Sequence, residues 1–454
     1  MLNENQHSDY DVVVVGGGST GIVAAIAAAR HGAKTLLIDR MGYLGGESAT
    51  GLWWFTFHNM RGERIVDGIP WELVGRLKEI GGSTGPVRGS MTHFYSTTPV
   101  DPEIWKGLAI GVVHHAGVDI LLHTWMYKVE AKDGTVTGVW VHNKSGKRFF
   151  GARSVIDATG DADVAAMAGA DVVKGREEDG KTQAMTLRFT LGGVDVEEAG
   201  SVLTSEGFVR AQPAGLDTER YMVLQGTFAA WDDKVQAEGL FPDRAHQLWA
   251  LSYRPGELVV NTTRVIGRDA TDGADLSAAE VEARLHVPRI VDFLRREVPG
   301  FSSAHLTSVP AKIGVRESRR LVGQTTLTDK DVLSGRRFAD AIARASYPID
   351  IHDPSGKGTT FEQVEQGGDY DIPFGSLVPR DIRGLLVAGR CLSATHRALA
   401  SARVIVSCMA MGQAAGAAAA MAASSGIDVA ETSSAVLRDA LIADGVNLTQ
   451  LVSA

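Results

Sequence analysis

Two cysteines, Cys391 and Cys408, are all that 454 residues contain. They lie far apart and lack Cys-x-x-Cys spacing, which excludes a disulfide framework and a redox dithiol. That scarcity fits a reducing, cytoplasmic setting. Positive charge is also short: the formal net charge is −9, which argues against a general nucleic-acid binder and leaves the fold open. No group of His, Cys, Asp and Glu has metal-ligand spacing, so no metal is expected. The opening residues, Met1 to Asp9, are polar and partly acidic, without the basic start and apolar core of a signal peptide. One run, Val404 to Ala423, has the length of a membrane span. Its content is mostly Ala and Gly, with Ser407 and Gln413 inside, and Gly412, Gly416 and Ala420 recur every four residues. That pattern makes a flat face for close packing, so an internal helix is expected and no membrane association. The remainder, 44% hydrophobic and 22% charged, is ordinary globular composition, with length for two or three domains.

Glycine, by contrast, is abundant, and GGSTG occurs twice. The first copy, Gly17 to Gly21, follows the β-branched run Asp11 to Val15 and precedes the Ala-rich stretch Ile22 to Arg30. Strand, tight turn and helix are the setting of a dinucleotide fingerprint, here Gly16-x-Gly18-x-x-Gly21. The first Gly permits the turn, the second lets a pyrophosphate approach, and the third lets helix and strand pack closely. The second copy, Gly81 to Gly85, ends a helical pattern over Trp71 to Ile80 and precedes Pro86. It is a helix stop.

Ala33 to Asp39 reads as the second parallel strand, and Asp39 falls where an acid commonly takes ribose hydroxyls. Arg40 beside it reads as a solvated strand-end residue or a hint of a 2′-phosphate. A second Gly-rich loop, Leu44 to Gly51, follows. Trp53, Trp54, Phe55, Phe57 and His58 then crowd together as core or as a pocket wall. Strands are expected at Gly117 to His123, Met126 to Ala131, Val136 to His142 and Lys147 to Phe150, the last three forming a meander. Another is expected at Ser154 to Asp161, re-entering a parallel sheet. From about Gly175 to Asp371 the fingerprint does not recur. Strands Met185 to Leu191 and Glu257 to Val265 and a helix Ala278 to Glu297 suggest an inserted second domain. The first resumes at Arg383 to Arg390.

VVVVGGGSTGIVAAIAAARHGAKTLLIDR, LGGESATG, VIDATGDADVAAMAGA, GVRESRRLVG and GLLVAGRCLSATHRALASARVIVSCMAMGQAAG together resemble FAD-dependent oxidoreductases of the glutathione-reductase-like fold, related to fumarate reductase flavoproteins. The resemblance implies an α/β chain: a Rossmann-like FAD-binding domain with a three-stranded β-meander and an inserted α+β substrate domain. The FAD domain would comprise 8–60, 100–172 and 372–425, the substrate or cap domain 61–99 and 173–371, and a helical tail 426–454. It implies that Gly16, Gly18, Ser19 and Gly21 meet the pyrophosphate and Asp39 the adenosine ribose. Arg40, Gly45, Gly46, Glu47 and Ser48 would line the phosphate and ribityl side. The backbone at Met126 would touch adenine, with Thr159 and Gly160 beside it. Gly389 and Arg390 occupy the ribityl position, where an acid is usual and Arg390 departs. The helix after Arg403 would point its N-terminus at the flavin, where its dipole favours the negative charge of the reduced ring.

No second Gly-rich fingerprint follows Gly160, so a substrate-driven half-reaction is expected. A hydride would pass between a small organic molecule and flavin N5, and an external electron acceptor or donor would reset the flavin. His396, between the last strand and the closing helix, is either a base at the ring or a hydrogen-bonded loop residue. In Arg316-Glu317-Ser318-Arg319-Arg320, strand alternation would put Arg316 and Ser318 on one face. Arg316 then either clamps a substrate carboxylate or joins a structural Glu–Arg network. Asp350 and His352 share a strand face as an acid–base pair or as its wet side. His114 and His115 read as helix surface. Two other classes use the same fingerprint: a nicotinamide-dependent Rossmann dehydrogenase and a non-catalytic flavin-fold binding protein. The later Ala-Thr-Gly strand speaks against the first. Homo-oligomerisation is left open.

Overall fold

The computed structural model describes residues 8–88, 93–205, 209–211, 222–241, 246–356 and 358–448. Met1 to His7, most of the segment read above as unlike a signal peptide, and the tail's last residues, 449–454, lie outside them.

The apolar run Ser8–Val15 is the centre of a seven-stranded sheet because its valines are buried on both faces. It pairs in parallel with Thr35–Ile38, which pairs in turn with Asp119–Leu121. On its other side lies Gly146–Asp157. This strand corrects the expected meander. The strands expected at 147–150 and 154–161 are one strand that ends at Asp157, antiparallel to Thr135–Asn143 at its start and parallel to Leu385–Val387 at its end. Trp125–Lys132 completes the meander at the sheet edge.

The first helix, Ser19–Arg30, buries Ile22, Val23 and Ile26 almost completely, each worth about 1.5–3 kcal/mol against exposure. Across it lies the closing helix, Ile405–Ser425. A Cβ at Gly412 would sit 2.3 Å from the Thr20 carbonyl oxygen, and one at Gly416 would sit 2.1 Å from that of Ala24. Only glycine permits that approach. The closing helix is long and apolar enough to cross a membrane, but 94% of its apolar window is buried inside the protein.

The insertion has its own core. A six-stranded antiparallel sheet runs Val209–Ala211, Met222–Thr227, Gln247–Arg254, Glu257–Asn261, Phe189–Gly192, His305–Ser308. Helix Gly273–Glu297 covers it, bringing Ala283, Val287, Ile290 and Leu294 against Phe189, Leu224 and Leu248. The strands are shorter than expected, and the helix starts earlier because Asp272 caps Ala274 N and Asp275 N. That core extends from Met185 to Ile313, less than the expected 173–371. Leu327, Ile342, Ile349 and Tyr370 instead join the core of the seven-stranded sheet, as do Leu73, Val74 and Leu77 of helix Ile69–Glu79. The second GGSTG ends that helix: Gly81 turns with φ +71°, and a Cβ on Gly82 would sit 2.6 Å from Ile104 Cγ2. His114 and His115 are exposed at the end of Pro102–His115.

Candidate active site

A cavity of about 360 Å³ runs from the first glycine turn to the inserted sheet, within the size range of small-molecule sites. At one end Gly18, Ser19 and Thr20 line it. Three glycines of the turn are required for different reasons. Gly16 has φ +106°, and Gly21 would carry a Cβ 1.8 Å from the Gly16 carbonyl oxygen. Gly18 has φ −72°, and the nearest protein atom to a Cβ there is 3.9 Å away. The protein itself does not need a glycine at 18. A glycine there leaves open space in front of the backbone. Gly18 also leaves the first helix without a side-chain cap, so its N–H groups stay available to an anion.

A second uncapped helix terminus meets the same cavity. Arg403, Val404, Ile405 and Cys408 line it, and Val404 caps nothing with its side chain. The closing helix thus begins at the cavity. Arg40, Gly46, Glu47, Thr159, Gly160 and Arg390 line the wall between the two termini. Gly46 has φ +53°, and a Cβ on it would press on Gly18 Cα. Arg390 is not solitary. Its guanidinium donates to Asp161 Oδ1 at 2.8 Å and Ser318 Oγ at 2.7 Å. Arg390 outweighs burial and holds the Asp161 carboxyl below its usual range. Glu47 receives hydrogen bonds from Lys312 at 2.7 Å and from Arg188. Burial would raise its pKa, but the two cations bring it to about 2.

Other expected contacts lie behind the lining. Asp39 accepts from Gly17 N at 2.6 Å and Met41 N at 2.7 Å, so its carboxylate braces the turn. Ser19 Oγ and Ser48 Oγ are 2.9 Å apart, and Ser48 also accepts from Trp54 Nε1 at 2.8 Å. Gly45 N donates to Gly17 O. Gly389 packs its α-carbon on Thr20, and Met126 is buried in the sheet edge. Of the aromatic cluster, Phe55 reaches the cavity, while Trp53, Trp54 and Phe57 are core.

His396 is corrected. Thr395 caps a helix, His396–Ala402, so His396 is its first residue and is absent from the cavity lining. Its Nδ1 lies 2.8 Å from Glu317 Oε1. Glu317 also accepts from Arg320 and from Gln183 N, at 3.1 Å. Residues 316–318 do not form the expected strand, which begins at Arg319. Glu317 and Arg320 make the structural network, and Arg316 reaches the cavity.

Beyond Val404 the cavity widens against the inserted sheet. Here Asp350 and His352, on strand Ile349–His352, both line it. His352 Nε2 is 3.6 Å from Asp350 Oδ1, and Tyr347 Oη donates to Asp350 Oδ2 at 3.3 Å. Arg264 Nη2, which can only donate, is 3.5 Å from His352 Nδ1. Burial, joined by Arg316, lowers the His352 pKa to about 4. Burial would raise Asp350, but His352, Arg403 and Arg316 bring it to about 2. Burial and Asp350 push the Tyr347 phenol well up. At neutral pH the trio is therefore a phenol, a carboxylate and a neutral imidazole. Sequence reasoning missed Tyr347, Arg188 and Lys312. Arg188 had a signal: it is the one charge in the apolar run Ala184 to Leu191. Among the described residues no His, Cys, Asp and Glu group could hold a metal.

Residues 11–441 match the family described as FAD dependent oxidoreductase. A vinyl phenol reductase from Lactiplantibacillus plantarum is 27% identical over 189 residues, 34% of this chain and 38% of that protein. A probable fumarate reductase from Shewanella frigidimarina is 29% identical over 187 residues, 33% of this chain and 32% of that protein. The matches thus span about a third of those relatives' length. A geranylgeranyl bacteriochlorophyll reductase-like protein from Thermoplasma acidophilum shares the fold with a TM-score of 0.50 and 14% identity, over 97% of this chain and 85% of that one. The open space at Gly18 and the uncapped helix terminus behind it fit the pyrophosphate of a dinucleotide, and the family match makes that dinucleotide FAD rather than the nicotinamide alternative.

Proposed function

The chain belongs to the FAD dependent oxidoreductases, and from that premise we propose that it exchanges a hydride with a small organic molecule held between the closing helix and the inserted sheet. A separate electron donor or acceptor restores the cofactor. Bound in the cavity, FAD supplies the two-electron chemistry at its ring. Everything else falls to side chains. The amides following Gly18 hold the pyrophosphate, and Asp39 keeps that turn in shape through Gly17 and Met41. The uncapped terminus at Val404 offers its positive end to negative charge on the ring. The inserted sheet closes the far wall and excludes water.

The observation that carries this reading is one cavity joining both uncapped helix termini to a chamber with a proton-bearing phenol. Hydride exchange at carbon needs a proton moved at a neighbouring atom. Tyr347 Oη keeps its proton across the ordinary pH range and is oriented by Asp350, so it is the group placed to hand that proton over. His396 is not available for the role. Two relatives named as reductases, of vinyl phenol and of fumarate, favour an unsaturated substrate reduced across its double bond. Absence of a second glycine fingerprint supports an external partner. The test is anaerobic: purified yellow protein is reduced chemically, mixed with unsaturated organic molecules, and followed by flavin absorbance. Reoxidation by a substrate is expected, and Tyr347→Phe slows it by about 10²–10⁴-fold with flavin content unchanged. A Tyr347→Phe protein that reoxidises at the native rate would remove the phenol from the reaction.

A further inference from the structure

The cations around the cavity are not equally neutralised. Arg188 and Lys312 share Glu47, and Arg390 is paired with Asp161. Arg316 and Arg403 differ. Arg316 donates to the Ala184 carbonyl at 2.7 Å and to Thr186 Oγ1. Arg403 donates to Gln183 Oε1 at 3.3 Å and to the Asp350 backbone carbonyl at 3.2 Å. All four acceptors are neutral. Arg403 Nε is buried without a hydrogen-bond partner. Among the described residues neither guanidinium forms a salt bridge. The nearby carboxylate, Asp350, accepts from Tyr347 at Oδ2, while its Oδ1, 3.6 Å from His352 Nε2, has no hydrogen-bond partner. Arg403 acts on Arg316 as a like charge, and a guanidinium does not lose its proton to relieve this. Two part-buried like charges with one carboxylate near them leave a cationic excess that an anion offsets.

Beside this pair the wall is aromatic. Phe55 lies 5.0 Å from Phe94, 5.6 Å from Trp249 and 6.0 Å from Tyr347, ring centre to ring centre, and Phe94 stacks on Tyr347 at an interplanar angle of 20°. All four rings reach the cavity. Planar guanidinium forks match a carboxylate bidentately, and such rings favour a flat, apolar body.

We propose that the substrate is a flat, aromatic monocarboxylate, its carboxylate received by Arg316 and Arg403 and its ring laid against Phe55, Phe94 and Trp249. This rests on the cavity being the site of the hydride exchange proposed above. A monocarboxylate matches the one charge by which Arg316 and Arg403 exceed Asp350, and an anion held there has its neighbouring atoms toward the Tyr347 phenol.

The test titrates FAD-loaded protein with benzoate, cinnamate and 2-naphthoate, reading the shift of the flavin absorbance bands. Each carboxylate is compared with its primary amide, and acrylate stands for the anion without a ring. At least one aromatic carboxylate is expected to bind about tenfold or more tighter than its amide and tighter than acrylate. Arg403→Met should erase the preference for acid over amide while the protein stays yellow. Arg316→Gln should do the same, and serves if Arg403→Met does not fold. Carboxylates that bind no better than amides, or no binding by any of the set to yellow protein, would overturn the assignment while the flavoenzyme reading stands. Colourless folded protein would defeat that reading first.

Discussion

Replacing Gly18 by alanine separates what the fold needs from what the cofactor needs. Gly18 has φ −72° and ψ −176°, a conformation any residue adopts. A methyl group there meets no protein atom closer than 3.9 Å. The apoprotein should therefore fold normally and gain about 0.4–1 kcal/mol, because alanine restricts the unfolded chain. The neighbouring change, Gly21→Ala, is the opposite case. Its methyl would lie 1.8 Å from the Gly16 carbonyl oxygen, so strand and helix must part, at a cost of about 1–3 kcal/mol or more. FAD binding should respond differently. The Gly18→Ala methyl stands where a phosphate approaches the backbone, and each charged hydrogen bond lost costs about 1.5–3 kcal/mol. That converts to roughly 10–150-fold weaker binding per bond. Apoprotein stripped of flavin is melted thermally, then titrated with FAD while its fluorescence quenching is followed. Native FAD affinity in Gly18→Ala, or an apoprotein melting as low as Gly21→Ala, would refute the placement of the pyrophosphate.

Glu317→Ala leaves Arg320 as a buried cation without its carboxylate, so urea unfolding should show a loss of about 3–5 kcal/mol. His396→Ala should cost about 1–3 kcal/mol and leave the anaerobic flavin half-reaction at its native rate; a slowed half-reaction with native stability would restore His396 as a base. Glu47 has its carboxyl lowered from 4.5 to about 2 by Lys312 and Arg188 against burial. Its stabilisation is complete above about pH 4.5 and disappears as pH falls through about 2. Glu47→Gln should flatten the stability profile across that window, measured by denaturant melts at stepped pH, and leave its shape above pH 5 unchanged.

Local features were legible in the sequence and long-range partnerships were not. The turn at Gly16 to Gly21 could be read because strand, glycines and helix are contiguous and each glycine has its own steric cause. The stop at Gly81 could be read for the same reason. Glu47 could be placed by its loop, but its partners Arg188 and Lys312 stand 141 and 265 positions away, and no local pattern links them. Arg390 stands where an acid is usual, and its partner Asp161 could not be read because it lies on another segment. His396 was misjudged by helix phase: once Thr395 caps, the next side chain faces Glu317 rather than the cavity. The insertion was drawn too wide because apolar residues at 327–372 show that they are buried, not which sheet buries them.

The glycine-mediated seating of the closing helix on the first has a consequence for biogenesis. The carbonyls of Thr20 and Ala24 touch residues that emerge from the ribosome almost four hundred positions later, so the nucleotide turn has its walls only once the closing helix has been made. The inserted sheet, with a self-contained core, can mature in the meantime. Flavin capture should therefore wait for the closing helix, and a chain that stops before Gly412 should purify without colour.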